Sequence, residues 1–288
     1  MNAFEQFRSI GQPQLISSAC QNMLDQSGIT SPGVLSSLDR MFCALAVERI
    51  GVWEMPRGLP ASSDQNHRWR AVSSLQKAIR LGDAYAAMTA AHICHGLNKQ
   101  HLWRRLAVIA IEDVMLGNLL AVAMTLALAG SKAAREDVGD LKAALWMASV
   151  LANGLKDRTA CDLCAVVDYD RTLHSDADSW ARESDERLME LAGDRDISVE
   201  RQMLAAWLLA GTRRYPGQNL PKANDRSRRN LMRVMVQSGM PLVLYYLADR
   251  GAVRTGDSMF VSVLPIWRML QEDGDSLKVY RNESANRE

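Results

Sequence analysis

Apolar residues recur at intervals of three and four along most of this chain, and strict apolar/polar alternation is scarce, so the pattern predicts helices and almost no sheet. Before residue 52 it predicts two helices, one around Gln14 to Gln26 and one opening at Ser31-Pro32, where Ser caps and Pro takes the first helical position. The stretch GVWEMPRGLPASSDQ that follows holds two prolines, two glycines and two serines, and reads as a connector over residues 53–65. Helices are then expected at Trp69 to Leu81, Asp83 to Gly96, Leu102 to Leu116 and Asn118 to Gly130, separated by Gly82, Gly96-Leu-Asn and Gly117. Such short loops imply antiparallel neighbours.

A further helix is expected at Asp140 to Asn153. Its GDLKAALWMAS echoes the earlier GDAYAAMTAAH, with Gly82 and Gly139 lying 57 residues apart. Either an internal repeat or a shared way of building helix pairs explains the echo, because Asp caps orphan amides and paired Ala permits close helix approach. After Leu155 the chain turns polar, and an acidic, solvent-facing helix is expected from Ser175 to Leu191. Ser198 to Thr212 then offers a buried stripe of Ile197, Met203, Leu204, Trp207 and Leu208, and Pro216 and Pro221 end that unit. Helices at Asn224 to Ser238, Leu242 to Arg250 and Ser258 to Gln271 complete the pattern, with the closing SANRE frayed. The expected fold is all-α, a multi-helix antiparallel bundle or array. Its expected organisation is an N-terminal helical segment at 1–52, the connector, a main helical domain at 66–273 and a tail at 274–288.

Composition narrows the function classes. With 288 residues and 48% apolar content, the chain can bury a substantial core. Lys plus Arg number 34 against 33 Asp plus Glu, so no global charge draws it to nucleic acid or acidic membranes, and such binding requires a local patch. The start MNAFEQFRSIGQPQ lacks the basic-then-apolar order of a secretory signal, and Leu119 to Ala129 is too short to span a bilayer. A cytoplasmic protein with no membrane partner is expected. Five cysteines, Cys20, Cys43, Cys94, Cys161 and Cys164, are an odd number in a large chain, which suits free thiols in a reducing compartment.

Within the helical pattern, Leu75-Gln-Lys-Ala-Ile-Arg80, Gly82-Asp83 with Ala86-Ala87, Arg104-Arg105-Leu106 and Glu112-Asp113-Val114 form a recognisable order of residues. Over residues 73–118 this order resembles the helical C-terminal region of the replication-associated recombination ATPases, the RarA/MgsA and WRN-interacting group. Leu220-Pro-Lys-Ala-Asn224 is faintly similar to a later element of that family. The resemblance implies an oligomerising collar, related in design to clamp-loader collars, that supports assembly and not chemistry. No G-x-x-x-x-G-K-[ST] phosphate loop, G-x-G-x-x-G turn, G-x-S-x-G elbow or H-E-x-x-H pair occurs in the chain, so the resemblance implies a collar without its ATPase motor.

The charged residues read as follows. Leu102, Leu106, Ile109 and Leu116 make one apolar face, with Arg104, Arg105, Glu112 and Asp113 bordering it. Arg105 stands seven and eight positions before Glu112 and Asp113, too far along a regular helix for a direct pair. It is expected to reach a group on another helix, and Glu112 or Asp113 an amide or cation there. The set reads as a structural charge network, with phosphate contact by Arg104 and Arg105 as the competing role. Lys77 and Arg80 complement the carbonyl end of their own helix. Cys161-Asp-Leu-Cys164 has the spacing of half a zinc site, with His92 and His95 as the conceivable other half, but ordinary packed side chains account for all four. No cofactor, metal or catalytic residue is assigned.

Arg213, Arg214, Tyr215, Lys222, Arg226, Arg228, Arg229 and Arg233 put seven cations and one aromatic within twenty-one positions, with Arg226, Arg229 and Arg233 on one helical face. This patch suits a solvated face, a nucleic acid, or an acidic partner such as the Asp176 to Glu190 helix of a second copy. Together these features lead us to expect a non-enzymatic, homo-oligomeric helical assembly protein that engages replication or recombination proteins and binds DNA weakly, carried by a mobile element. The alternatives are a tetratricopeptide- or Sel1-like peptide scaffold, and an enzyme with an interhelical site.

Overall fold

A computed structural model describes residues 32–60, 68–210, 225–255 and 258–272, and among them it holds fourteen α-helices and no strand. The all-α expectation is met. The chain divides into two compact units, the first ending at Asp157 and the second beginning at Arg158.

In the first unit, α1 (Pro32–Val52) begins on its proline and buries Val34, Leu35, Leu38, Phe42, Ala46 and Ile50 at helical spacing. This stripe packs on α5 (Leu119–Gly130), α6 (Lys132–Val138) and α7 (Asp140–Asn153). The sequence connector at 53–65 therefore joins elements of one unit, and the compact units part at Asp157 instead. Next, α2 (Arg68–Leu81) buries Ala71, Val72, Leu75, Ala78 and Ile79 against α3 (Ala84–Leu97) and α7. The α3 face that meets α7 is rich in alanine, with Ala87, Ala90 and Ala91 buried on one helix and Ala143, Ala144 and Ala148 on the other. Short side chains permit that close approach, and each fully buried Leu or Ile around them contributes about 2 kcal/mol relative to an exposed one.

The two Gly-Asp units do different things. Gly82 and Gly139 both hold positive φ, at 79° and 88°, where a Cβ would be strained. Asp83, however, is the N-cap of α3 and accepts a 2.9 Å hydrogen bond from the Ala86 amide. Asp140 is the first helical residue of α7 and turns its carboxylate to other helices. The shared motif is a shared turn with divergent side-chain use.

The expected Leu102 to Leu116 helix is not continuous. α4 (Lys99–Ile109) gives way to a π turn over Ala110–Val114 and a 3-10 turn over Met115–Gly117. Its cause lies in the partners of that segment, described below. α6 was not foreseen, because its seven residues bury none of their side chains and carry no periodic apolar signal.

In the second unit, α8 (Thr159–Tyr169) lies in the stretch that turns polar after Leu155, where no element is expected, yet it buries Ala160, Leu163, Cys164 and Val167. The expected acidic helix is two, α9 (His174–Trp180) and α10 (Asp185–Gly193), because Ser184 accepts a bond from the Arg187 amide and so starts a new helix. α11 (Val199–Ala210) is the centre of this unit and packs on α8, α9, α10, α12 (Asp225–Gln237) and α14 (Val263–Glu272). Met203, Leu204, Trp207 and Leu208 are buried as expected, whereas Ile197 lies before the helix and is half-buried. α13 (Leu242–Thr255) runs five residues beyond its expected end at Arg250. The predicted Gln14 to Gln26 helix and the 274–288 tail lie outside the described residues.

Candidate functional site

The strongest concentration of buried charge lies where α2 passes the π turn of the first unit. Asp113 is fully buried, and its two carboxylate oxygens accept hydrogen bonds from Gln76 Nε2 at 2.9 Å and Arg80 Nε at 2.8 Å. Gln76 and Arg80 are four apart on α2, so both side chains meet the π turn on one helical face. The Gln76 carbonyl oxygen accepts a bond from Arg105 Nη2, which joins α4 to the same network. Glu112 lies 3.9 Å from Arg105. Sequence spacing excluded that pair on a regular helix, but the wider π turn, closed by the Met115 amide on the Ala110 carbonyl, carries Glu112 round toward Arg105. Burial, reinforced by the Asp113 charge, holds the Glu112 carboxyl above its ordinary range.

A second backbone segment fixes this turn from the other side. The Asp157 amide donates to the Asp113 carbonyl at 3.2 Å, and the Asp157 carboxylate accepts from the Leu116 amide at 3.1 Å. Gly117 faces Leu155 so closely that a Cβ would stand 2.3 Å from the Leu155 carbonyl oxygen. Between these contacts Met115 is forced to φ 28°, a costly conformation for a residue with a side chain. Lys156 donates to the carbonyls of Leu151, Ala152 and Gly154 and so closes the end of α7; burial pushes its ammonium down to about 8 while Asp113 pulls it back up.

The structure brings Arg105, Glu112 and Asp113 together, and Arg104 is exposed on α4. Gln76, Lys156 and Asp157 belong to it and were missed. The pair Gln76/Arg80 carried a usable signal, the four-residue spacing of two long donors on one face, and Lys156 and Asp157 carried none.

His95 anchors another set in the same unit. Its Nε2 lies 2.8 Å from Asp140 Oδ2, while Asp140 Oδ1 accepts from Arg135 Nε at 2.7 Å and Trp103 Nε1 at 3.2 Å. Arg135 also donates to the Leu128 and Ala129 carbonyls and lies over the Trp103 ring. Burial pushes the Asp140 carboxyl up, but the bonds from Arg135 and His95 together bring it below its ordinary range. Burial lowers His95, with Asp140 opposing, and burial plus Arg68, Arg104 and Arg105 lowers His101. Both imidazoles therefore resist protonation in the folded state, so the unfolded chain takes up protons first as pH falls through 6.5. The urea midpoint is expected to fall between about pH 7.5 and about pH 5.5, and His95→Gln with His101→Gln to flatten that fall. An unchanged slope in the double variant would remove both histidines as its cause.

The remaining candidates are dispersed. His92 Nδ1 meets the Pro60 carbonyl, Cys161 accepts from Arg158, and Cys43, Cys94, Cys161 and Cys164 are free thiols. Among the described residues, no three His, Cys, Asp or Glu side chains are grouped to hold a metal, and no helix is long and apolar enough to cross a membrane. Of the basic patch, Arg213, Arg214 and Lys222 lie outside the described residues, as does the side chain of Arg226. Arg229 and Arg233 are exposed on α12. Arg233 borders an open groove of about 750 Å³ shared with Glu186 and Glu190 of α10, so the basic and acidic helices are neighbours within one unit. Asn230 of α12 donates to Asp185 at 2.9 Å beside it. Searches of family models, curated proteins and solved structures return no match to this chain.

Proposed function

We propose that the chain is a non-enzymatic helical assembly module that self-associates and engages replication or recombination proteins, as its likeness over residues 73–118 to the recombination-ATPase collar suggests. The supporting observation is how the ionisable groups within that segment are used. Asp113, Arg80, Gln76, Arg105 and Glu112 bind one another across α2, α4 and the π turn, and so fix helix packing in the way an assembly scaffold requires. Large apolar side chains stand on the surface of the same unit, with Leu81 and Tyr85 exposed at neighbouring ends of α2 and α3.

The two Gly-Asp turns give the repeat-scaffold alternative no added support, since Asp83 and Asp140 serve unlike roles. Light scattering coupled to size-exclusion chromatography at micromolar protein is expected to give a mass at least twice the 32.0 kDa of one chain. A strict monomer would overturn self-association as the basis of the function.

A further inference from the structure

The α2–α4 seam carries a second feature, at the end remote from Asp113. Trp69, one residue into α2, leaves 72% of its surface exposed. Arg68 lies over its ring at 5.7 Å from the centroid, and the His101 imidazole meets it edge-on at 6.2 Å. Arg104 follows His101 by three positions on α4, so it shares the face of the imidazole that meets the indole, and its side chain is exposed. The charged groups that act on His101 are Arg68, Arg104 and Arg105, all cations. The carboxylates of Glu112 and Asp113 lie at the opposite end of α4, engaged by Arg105, Arg80 and Gln76.

Arg68 Nε is also shielded from solvent and makes no hydrogen bond within the chain. A guanidinium donor left unmet beside other cationic side chains is unfavourable, and an anion drawn to it relieves that cost. An exposed tryptophan beside guanidinium groups is the pairing that single-stranded nucleic acid uses, bases stacking on the ring and phosphates meeting the cations. An acidic protein surface requires the cations and has no use for the indole.

We propose that Trp69, Arg68, His101 and Arg104 form a binding site for single-stranded nucleic acid, with Trp69 as the stacking platform and Arg68 and Arg104 as phosphate contacts. This goes beyond the assembly reading and does not depend on it, since the site lies within one unit of one chain. It is also distinct from the α12 face, where Arg229 and Arg233 are exposed and the neighbouring groove carries Glu186 and Glu190.

The test uses the full chain and fluorescein-labelled oligothymidylate or oligouridylate of about 20 nucleotides, titrated by anisotropy across a salt series. Wild type is expected to bind at low salt. Trp69→Ala is expected to weaken binding at least about fivefold and Trp69→Phe to retain most of it, because a phenyl ring still stacks. Arg104→Glu should weaken binding further and reduce the salt slope by roughly one, while Arg229→Glu/Arg233→Glu leaves both unchanged. Trp69 and Arg104 are exposed, and circular dichroism checks that each variant keeps its helices. The ratio of the two oligonucleotide affinities distinguishes DNA from RNA.

The site is overturned if wild type binds neither strand at low salt, or if Trp69→Ala and Arg104→Glu bind like wild type. Displacement by polyglutamate as effective as by unlabelled oligonucleotide, with Trp69→Ala neutral, would assign the patch to an acidic protein. Loss of binding in the α12 variant alone would move the site there.

Discussion

Replacing Asp113 with alanine is expected to destabilise the folded chain by about 3 kcal/mol, the lower end of the range for removing one member of a buried ion pair. Asp113 is fully buried and accepts from both Gln76 and Arg80, so its loss takes an acceptor from two donors at once. The lower end applies because the Arg80 side chain is 35% exposed and recovers some hydration when its partner goes. Asp113→Asn should cost less, since one oxygen remains to accept, though its amide group opposes a donor. Urea unfolding followed by circular dichroism measures both. A loss of stability below about 1 kcal/mol for Asp113→Ala would show that the π turn is held chiefly by Asp157.

Gly117→Ala is expected to cost a similar amount, about 3 kcal/mol, at the top of the ordinary range for overpacking. The added methyl group would lie 2.3 Å from Leu155 O, 2.6 Å from Leu155 C and 3.1 Å from Lys156 C, all of them backbone atoms that cannot rotate aside. Either the 3-10 turn or the Leu155–Lys156 segment must shift, and a shift of either draws Asp157 from the Leu116 amide. Gly51→Ala provides the comparison. It lies within α1 with no atom within 4 Å of where a Cβ would stand, and should stabilise by roughly 0.5 kcal/mol through the unfolded state. Equal effects from the two substitutions would mean that the close approach at Gly117 relaxes freely.

Much of the helical architecture was legible because its starts are marked by residues that also act as caps. Asp83, Asn98 and Asn118 each accept a bond from the amide three positions on, and each opens a helix at or near where the sequence placed one. The break after Ile109 was not legible, since Ala110 to Leu116 continues the helical apolar pattern without a Gly or Pro. What interrupts it is a set of long-range partners, Gln76, Arg80 and Asp157, whose meeting point depends on tertiary packing. The same holds for the site. Asp113 was picked out as a residue seeking an amide or cation on another helix, and it found both on α2. Asp157 could not be foreseen, because nothing local distinguishes a loop carboxylate that binds a distant amide from one that faces water. Trp69 was overlooked for a different reason: periodicity places a tryptophan at a helix start as readily inside as outside, and only the fold shows it exposed.

Asn98 shows how little slack the first unit has between α3 and α4. Its amide donates to the Cys94 carbonyl and closes one helix, while its side-chain oxygen accepts from the His101 amide and opens the next. One residue is thus the whole loop, and the phase of α4 about its own axis is set by the helix before it. Inserting a single residue beside Asn98 would turn every side chain of α4 by about 100° relative to α3. His101 would leave Trp69, Arg105 would leave Gln76, and the two ends of the seam would be lost in one step, so insertions and deletions should be tolerated far less here than in the Trp53–Pro60 loop.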